Sequence, residues 1–388
     1  MTTATPLSAI PPFPFVSVAG TPYDRGCAYG AAVPDRIARS AEIYGRALDG
    51  LGADADFRRR LIADFAARIQ AFGAHYLEEI RGIAEGSGTS FEDVVMINAR
   101  TEVVAQARRL AAAAPAAVDA PSEPEDGCTG AIILPGRSRT GRLIHGQNWD
   151  WRSECAETGV VLRVHRADGP DLLTFVEAGG LARSGLNAAG IAITANYLEC
   201  ERDFRTAGVP LSLIRRKVLE QSHFAEAIRA VATTPKSCSN NIMISTAQGF
   251  AVDFECAPDE AFAVLPENEI IVHANHWISP IARTRLRDTG IANMPDSLYR
   301  DWRVKRLLEE AGPKIGIDDM KRAFFDDFGT PYAVCRPPRP NQAGNLSATV
   351  AMVVMDPAAG VMEVAPLPAL QQGFTRYTLT GDPVAAAA

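Results

Sequence analysis

The chain has 388 residues, of which 47% are hydrophobic and 22% are charged, so it can bury a large core and form one large domain or two. Its formal net charge of −7 and isoelectric point near 5.5 exclude nucleic acid as the main partner, because that binding requires a basic surface that neutralises phosphate. No stretch approaches the roughly 18 uninterrupted apolar residues of a membrane-spanning helix, so we expect no membrane partner.

Cysteine use and the N-terminal residues bear on the compartment. The seven cysteines are odd in number and form no Cys-x-x-Cys pair, which does not indicate a disulfide framework. Residues 1–15 contain no basic residue and no continuous apolar core, unlike a secretory leader. We therefore expect a cytoplasmic protein whose free thiols stay reduced and reactive.

The first third of the chain predicts helices, because apolar residues recur there at helical spacing. The predicted helices cover residues 35–51, 54–72, 74–85 and 90–107. A stretch rich in Ala, Pro, Ser and acidic residues follows at 111–125 and predicts a mobile linker.

From residue 128 onward the pattern changes to short strands interrupted by pairs of helices. The predicted strands are 130–134, 143–147, 160–165, 172–177, 191–196, 241–245, 251–255, 261–265, 270–273, 349–355 and 361–365. The predicted helices are 211–220, 224–232, 300–310 and 318–325. Such an order predicts an α+β fold in which helices pack on antiparallel sheets.

The junction between the linker and the first of these strands reads Asp126-Gly127-Cys128-Thr129. A thiol directly after a glycine can attack the carbonyl of its own preceding peptide bond, because glycine has no Cβ and tolerates strained backbone angles. Hydrolysis of the thioester would free an N-terminal cysteine. Its amine, with an unperturbed pKa of about 8, can accept the thiol proton near neutral pH. Taken alone, the tetrapeptide fits an ordinary buried cysteine after an Asp-Gly turn better.

A second polar cluster, Gly146-Gln-Asn-Trp-Asp-Trp151, follows about twenty residues later at the end of a predicted strand. Amide and carboxylate groups between two tryptophans are unusual in an ordinary strand, although they also suit a hydrogen-bonded turn. The cluster therefore favours a reactive site near Cys128 over a purely structural cysteine.

Six short motifs occur in order from the junction to residue 336. They are Asp126-Gly-Cys-Thr129, Gly146-Gln-Asn-Trp-Asp150, Glu177-Ala-Gly179, Gly185-Leu-Asn-Ala-Ala-Gly190, Val272-His-Ala-Asn-His276 and Cys335-Arg336. In these motifs the sequence resembles the acyl-coenzyme A:6-aminopenicillanic acid acyltransferases and their hydrolase relatives, a branch of the N-terminal-nucleophile (Ntn) hydrolases. The resemblance implies a four-layer αββα Ntn-hydrolase sandwich with a helical N-terminal segment, made as an inactive precursor.

The resemblance also implies the division of the chain and the roles of its residues. Cleavage between Gly127 and Cys128 would leave a helical segment, 1–127, associated with a segment 128–388 that begins with the nucleophile Cys128. Asp150 would hold and tune the new amine. Asn275, with a backbone N–H, would stabilise the oxyanion by about 3–4 kcal/mol. The implied substrate is a small-molecule amide. Its acyl group would pass through a thioester to water or to an amine. The resemblance implies no metal and no organic cofactor.

Six further residues are candidates for contact with the substrate or for support of the site. They are Thr129, Asn148, Glu177, Asn196, His276 and Arg336. Glu177 ends an apolar strand, so we expect it to be paired with Arg183 or with the catalytic amine. Arg336 is expected either to bind a substrate carboxylate or to pair with Asp326 or Asp327.

Three alternatives remain open. His273 and His276 could bind a metal, or one of them could serve a Cys-His-Asn thiol hydrolase that is never cut. A continuing strand would point the two rings to opposite faces, which disfavours a metal site. The chain could also be a catalytically inert binding protein of the same fold. A homo-oligomer is compatible with the sequence.

Overall fold

The computed structural model describes residues 10–113, 127–340 and 346–386. Within these ranges there are eleven α-helices, sixteen strands and one short 3₁₀ helix, Ser153–Glu157. The helices are α1 (Pro22–Ala32), α2 (Pro34–Gly50), α3 (Ala55–Phe72), α4 (Ala74–Ser87), α5 (Phe91–Asn98), α6 (Arg100–Ala113), α7 (Leu211–Leu219), α8 (Phe224–Thr233), α9 (Pro280–Arg285), α10 (Ser297–Glu310) and α11 (Ile317–Phe324). The strands are β1 (Phe15–Val18), β2 (Cys128–Ile133), β3 (Ile144–Arg152), β4 (Gly159–Val164), β5 (Leu172–Glu177), β6 (Ser184–Asn187), β7 (Ile191–Tyr197), β8 (Asn240–Thr246), β9 (Ala251–Cys256), β10 (Ala261–Val264), β11 (Ile270–His273), β12 (Arg339–Pro340), β13 (Leu346–Asp356), β14 (Val361–Pro366), β15 (Thr375–Thr378) and β16 (Val384–Ala385).

Local sequence explains where several of these elements begin. The side chains of Thr21, Asp54 and Ser90 accept backbone N–H groups at the starts of α1, α3 and α5, which stabilises those helix ends. The apolar strand β5 is buried at every position, as expected for a strand covered on both faces.

The strands form two sheets. Sheet 1 has the order β1-β4-β5-β6-β7-β8-β9-β10, and only its β1–β4 pair is parallel among the described strands. Sheet 2 has the order β11-β2-β3-β13-β14-β15-β16, with β12 paired to β13. The antiparallel pairing allows short connections between neighbouring strands in each sheet.

The two sheets lie face to face and are joined by buried polar side chains. His145 on β3 lies 2.8 Å from Thr194 Oγ1 and 2.9 Å from Ser245 Oγ, both in sheet 1. Gln147 Nε2 donates to the backbone oxygen of Ala195 at 2.6 Å. Helices α10 and α11 cover the outer face of sheet 2, and α7 and α8 cover that of sheet 1. The predicted α+β class and αββα sandwich are confirmed.

The N-terminal segment is not entirely helical. Residues Phe15–Val18 form β1 at the edge of sheet 1, and α1 was not predicted. The helix predicted at 90–107 is two helices, because Asn98 turns its side-chain amide to the backbone oxygens of Val94 (3.0 Å) and Gly179 (2.9 Å) where α5 ends. The spacing of apolar residues along the chain does not predict these contacts with sheet 1, so the break between the two helices was not predicted.

Buried ion pairs connect the N-terminal helices to α7. Arg25 on α1 and Arg216 on α7 both bind Glu79 of α4, at 2.7 and 3.0 Å. Arg216 also binds Glu220 at 2.9 Å, and Tyr76 donates to that carboxylate at 2.6 Å. The charges are desolvated but paired, so loss of one partner would leave an uncompensated buried charge.

The linker predicted at 111–125 overlaps the end of α6, which continues through Ala113, and residues 114–126 lie outside the described residues. No helix in the described ranges is both long enough and apolar enough to cross a membrane.

Candidate functional site

Cys128 is the first residue of β2, which lies between β11 and β3 in sheet 2. It is buried and stands opposite Trp149 of β3. Because side chains alternate along a strand, Cys128 and Trp149 face the space between the two sheets, whereas Thr129 faces α10. The thiol is therefore held at the end of a central strand, beneath the opposite sheet.

Asn275 comes next to Cys128 because of the register of β11 on β2. His273 pairs with Gly130, so the second residue after the strand lies beside residue 128. The backbone N–H of Cys128 donates to Asn275 Oδ1 at 2.8 Å, and Asn275 Nδ2 donates to the backbone oxygen of Tyr197 at 2.9 Å. In this conformation the amide oxygen holds the nitrogen of Cys128.

Gly127 is enclosed on the other side of the same peptide bond. Its carbonyl oxygen accepts the backbone N–H of Asp150 at 2.8 Å. A Cβ at this position would lie 2.7 Å from Arg336 Cζ and 2.7 Å from Asp150 Oδ2, closer than ordinary van der Waals contact. Only glycine fits at residue 127 without displacement of that buried ion pair.

Asp150 is fully buried and has two side-chain partners. Thr349 Oγ1 donates to its Oδ1 at 2.6 Å, and Arg336 Nε lies 3.1 Å from its Oδ2. Strand β13 contains a bulge between Thr349 and Ala351, and such irregularities commonly re-aim a side chain beside an active site. Burial raises the pKa of Asp150, although Arg336 and Arg300 oppose the shift.

Arg336 belongs to a buried network and does not pair with either of the acids predicted for it. Its guanidinium binds Asp150 and Asp296, whereas Asp326 binds Arg303. Burial alone would raise the pKa of Asp296, but Arg300 and Arg336 hold it below its usual range. The expectation of an Asp326 or Asp327 partner was therefore wrong, because helix α10 brings Asp296 closer.

Arg300 was missed by the sequence analysis and touches the site at three points. Its Nη1 donates to the backbone oxygen of Cys128 at 2.7 Å and to Thr129 Oγ1 at 2.9 Å, and its Nη2 donates to Asn275 Oδ1 at 2.8 Å. Arg300 shares the buried face of α10 with Val304 and Leu308. A charged residue at helical spacing on an apolar face was the signal that could have identified it.

The loop that carries Asn275 is held from sheet 1. Asn196 Nδ2 donates to the backbone oxygens of His273 and Ala274, at 2.9 and 3.1 Å. Glu255 accepts the backbone N–H groups of Ile278 and Ser279, at 2.6 and 3.0 Å. Asn196 thus supports the position of Asn275 and also lines the cleft described below.

The two histidines have other partners. His273 donates from Nε2 to Glu255 Oε1 at 2.8 Å and from Nδ1 to the backbone oxygen of Ala274 at 3.0 Å. Burial alone would lower the pKa of His273, but Asp253 and Glu255 raise it to about 9. His276 Nδ1 lies 2.8 Å from Ser297 Oγ, and burial lowers the pKa of His276 to about 3.

The expectation that these rings point to opposite faces was wrong, because β11 ends at His273 and the chain turns. The ring centroids are 6.3 Å apart. Since His273 is a buried cation whose two N–H groups both donate to oxygen, it is a poor general base near neutral pH. His276 stays neutral and supports the backbone of Asn275 through Ser297, whose Oγ accepts the Asn275 N–H at 2.7 Å.

Glu177 and Asn148 lie on different sides of the site. Glu177 pairs with Arg100 at 2.7 Å and accepts a hydrogen bond from Tyr44, so its partners come from the N-terminal segment. The predicted pair with Arg183 was therefore wrong.

Asn148 donates to the backbone oxygens of Phe324 and Val334, at 2.7 and 2.9 Å, on the helix-covered face of sheet 2. Asn148 therefore supports α11 and faces away from the cleft.

A narrow cleft opens in front of Cys128. Its lining comes from both sides of the linker and consists of Arg100, Thr101, Cys128, Arg183, Ala195, Asn196, Tyr197, Leu211, Arg215 and Asn240. A concave cleft with a few polar groups around a thiol suits a small ligand rather than a macromolecule.

Comparisons with known proteins identify the family of the chain. The sequence pattern of the acyl-coenzyme A:6-aminopenicillanic acid acyltransferase family matches residues 137–366, more than half of the chain. The acyl-coenzyme A:6-aminopenicillanic-acid-acyltransferase 40 kDa form of Emericella nidulans is 28% identical over 331 residues, which cover 83% of this chain and 84% of that protein.

Two solved structures are also similar. The Caenorhabditis elegans ortholog of N-acylethanolamine-hydrolyzing acid amidase is 17% identical, with a TM-score of 0.40 over 60% of this chain and 93% of that one. Penicillin V acylase from Agrobacterium tumefaciens is 14% identical, with a TM-score of 0.40 over 65% of this chain and 86% of that one.

Proposed function

Since the chain belongs to the acyl-coenzyme A:6-aminopenicillanic acid acyltransferase family, and is an enzyme of acyl transfer or amide hydrolysis, we propose that it cuts its own Gly127–Cys128 bond. The freed Cys128 then attacks the carbonyl carbon of a small N-acyl substrate. The acyl group is held as a thioester, which water resolves in hydrolysis or an amine resolves in transfer.

The contacts of the Gly127–Cys128 peptide bond are the observation that carries this proposal. Its carbonyl oxygen accepts the Asp150 N–H at 2.8 Å, and its nitrogen donates to Asn275 Oδ1 at 2.8 Å. A donor fixed on the oxygen polarises the carbonyl, and an acceptor fixed on the nitrogen stabilises the amine that cleavage produces.

The self-cleavage step is an exchange of one acyl bond for another. Cys128 Sγ bonds to the Gly127 carbonyl carbon, the carbon–nitrogen bond breaks, and the thiol proton passes to the nitrogen. Water then hydrolyses the thioester, which leaves a carboxylate on Gly127 and restores the thiol of an N-terminal Cys128. Asp150 and Arg336 line the space that Gly127 occupies, so departure of Gly127 would open that space beside the Asp150 carboxylate at the new N-terminus.

The same groups would act in turnover. The amine, held by Asn275 Oδ1, takes the Cys128 proton and later gives it to the leaving amine of the substrate. Asn275 Nδ2 contributes to the oxyanion site, and Arg300 fixes the orientation of the Asn275 amide by donating to its oxygen. Arg300 and Asp296 are positioning residues in this scheme.

The two fragments would stay associated after the cut. The N-terminal segment contributes Glu79, which binds Arg216, and Arg100, which binds Glu177. It also supplies β1 to sheet 1. Separation would expose these buried charges and break the edge of the sheet, at a cost of several kcal/mol per unpaired ion.

We propose hydrolysis as the net reaction, because transfer also requires exclusion of water and entry of an acyl acceptor. We also propose that the protein can form a homo-oligomer. A measurement of its mass in solution tests this. Exposed apolar side chains on α10, Leu298 and Trp302, would be the first surface to examine.

Intact mass measurement tests self-cleavage. Purified wild type should give fragments 1–127 and 128–388, Cys128→Ala should stay whole, and the control Cys27→Ala should cut normally because Cys27 lies on α1. The cut fragments should elute together under native conditions. An uncut chain that hydrolyses amides would instead support the unprocessed thiol hydrolase, and an uncut, inert chain would support the binding protein.

A further inference from the structure

The cleft in front of Cys128 is rich in positive charge. Arg100, Arg183 and Arg215 all line it, and they also line an adjoining pocket. Glu177 compensates Arg100 at 2.7 Å. The guanidinium of Arg183 lies over the Trp149 ring, with Cζ 4.0 Å from its centroid, which holds this cation at the wall of the cleft.

Arg215 differs from its neighbour on α7. Arg216 binds Glu79 and Glu220 on the buried side of the helix. For Arg215, by contrast, no hydrogen bond or ion pair is formed with any residue in the ranges 10–113, 127–340 and 346–386, and its Nε is buried. Burial, together with Arg183 and Arg100, lowers the pKa of Arg215 to about 9. A desolvated cation of this kind favours the arrival of an anion.

Glu102, the acid whose charge acts on Arg215, already accepts a hydrogen bond from another residue. Glu102 Oε1 accepts the backbone N–H of Leu211 at 2.8 Å, and burial raises the pKa of Glu102. Glu102 therefore caps the start of α7 and leaves the cleft side of the Arg215 guanidinium to a ligand.

We propose that Arg215, with Arg183 beside it, binds a carboxylate carried by the amide substrate of Cys128. The inference rests on the proposed function and narrows its substrate class to amides with a free carboxylate, of the N-acyl amino acid type. A guanidinium fork matches a planar carboxylate with two parallel hydrogen bonds.

Matched substrates test the subsite during turnover. Wild type should hydrolyse N-octanoylglycine with a higher kcat/KM than the neutral N-octanoylglycinamide. Arg215→Gln should lower kcat/KM about 10- to 100-fold for the carboxylate and much less for the neutral amide, with partial recovery in Arg215→Lys. Arg229→Gln, on the exposed face of α8, is the control. Equal loss on both substrates would overturn the proposal, as would a wild-type preference for the neutral one.

Alkylation of Cys128 tests the subsite without amide turnover. Its thiolate displaces iodide from iodoacetate or from iodoacetamide, and mass spectrometry locates the new carbon–sulfur bond. The iodoacetate-to-iodoacetamide rate ratio should exceed that of free cysteine and fall about 10-fold in Arg215→Gln. This result would support the carboxylate subsite even if the protein neither hydrolysed amides nor cleaved itself. A rate ratio that equals that of free cysteine and is unchanged by Arg215→Gln overturns the proposed subsite. Protection of Cys128 by phosphate but not by acetate overturns the assignment of the subsite to a carboxylate.

Stability provides a check on folding. Because Arg215 lacks an ion pair among the described residues, Arg215→Gln should not lower the thermal midpoint, and removal of its buried charge favours a small increase. A large fall in the midpoint would show a structural partner for Arg215 and would overturn the assignment of its free side to substrate.

Discussion

Asp150 stands opposite Gly127 across the β2–β3 pair, and its backbone N–H donates to the Gly127 carbonyl oxygen at 2.8 Å. Its carboxylate lies against the same glycine, where a Cβ would meet Asp150 Oδ2 at 2.7 Å. One residue therefore contacts the proposed scissile carbonyl through its backbone and lies against Gly127, on the acyl side of the proposed cleavage, through its side chain. The peptide bond and the carboxylate are held together by the register of two strands.

Gly127→Ala should slow self-cleavage strongly. The added Cβ would lie 2.7 Å from Arg336 Cζ and from Asp150 Oδ2, so either the backbone or the ion pair must shift. Overpacking of this kind typically costs about 1–3 kcal/mol of stability. The fraction of cut chain against time, and the urea midpoint of the uncut chain, measure the two effects.

Gly45→Ala is the matched control. Residue 45 lies within α2, and an added Cβ there meets open space, so the change should leave cleavage unaltered and stabilise the helix by about 0.5–1 kcal/mol. Normal cleavage of Gly127→Ala would contradict the close fit described for the junction.

Arg300→Lys should impair both cleavage and turnover while the positive charge is retained. Arg300 contacts the Cys128 carbonyl, Thr129 Oγ1 and Asn275 Oδ1 at the same time, and a lysine ammonium cannot reproduce that planar fork. We expect a loss of about 100-fold in kcat, because the Asn275 amide loses the donor that fixes it. Rates of single-site variants at fixed pH measure this effect.

Arg306→Lys separates the site effect from a general effect on α10. Arg306 is exposed on the same helix and pairs with Glu310 at 2.6 Å, so this change should leave activity within about twofold of wild type. Equal rates for Arg300→Lys and wild type would remove Arg300 from the mechanism.

The sequence identified the residues whose motifs bring them to the ends of strands. Cys128, Asp150 and Asn275 occur in three separate motifs, and the structure brings them together because β2 lies between β3 and β11. The apolar runs also predicted most of sheet 1 and sheet 2, since buried strands in a sandwich carry strong patterns. The roles of these three residues stay predictions.

The sequence could not predict the charge network, because its pairs are distant along the chain. Thr349 and Asp150 are separated by 199 positions, and Arg300 reaches Thr129 across 171. A helix such as α10 normally presents arginine to solvent, so only the position of Arg300 on the buried face distinguishes it from its neighbours. Strand β6 was missed for a related reason, since its four residues lack apolar alternation and are buried by α7 and by β13 of the other sheet.

Asn275→Asp should separate the two roles of the amide. The carboxylate keeps an oxygen that can accept from the Cys128 nitrogen but removes the Nδ2 donor that would face the oxyanion. A donor lost from such a site typically lowers kcat by about 10²–10³, so turnover should fall by that factor. A variant with wild-type kcat would assign Asn275 to positioning of the nitrogen alone, and intact mass would show whether cleavage still occurs.

The pH dependence of stability should report the buried His273. Asp253 and Glu255 raise its pKa to about 9, against about 6.5 in an unfolded chain. The folded state favours the protonated ring, so its contribution is fully present below pH 6.5 and is lost as the pH rises through 9. The difference corresponds to about 3 kcal/mol of unfolding free energy.

Urea midpoints between pH 6.5 and 9 measure this loss, since Asp253 and Asp301, whose pKa values burial raises to about 6, titrate below that window. His273→Gln should flatten the curve, because glutamine can donate to Glu255 but cannot release a proton. His276→Gln is the control and should keep the wild-type slope, because burial lowers the pKa of His276 to about 3, outside this window. Parallel curves for wild type and His273→Gln would mean that the ring is neutral in the fold. In that case the loop behind Asn275 would not depend on a buried imidazolium for its position.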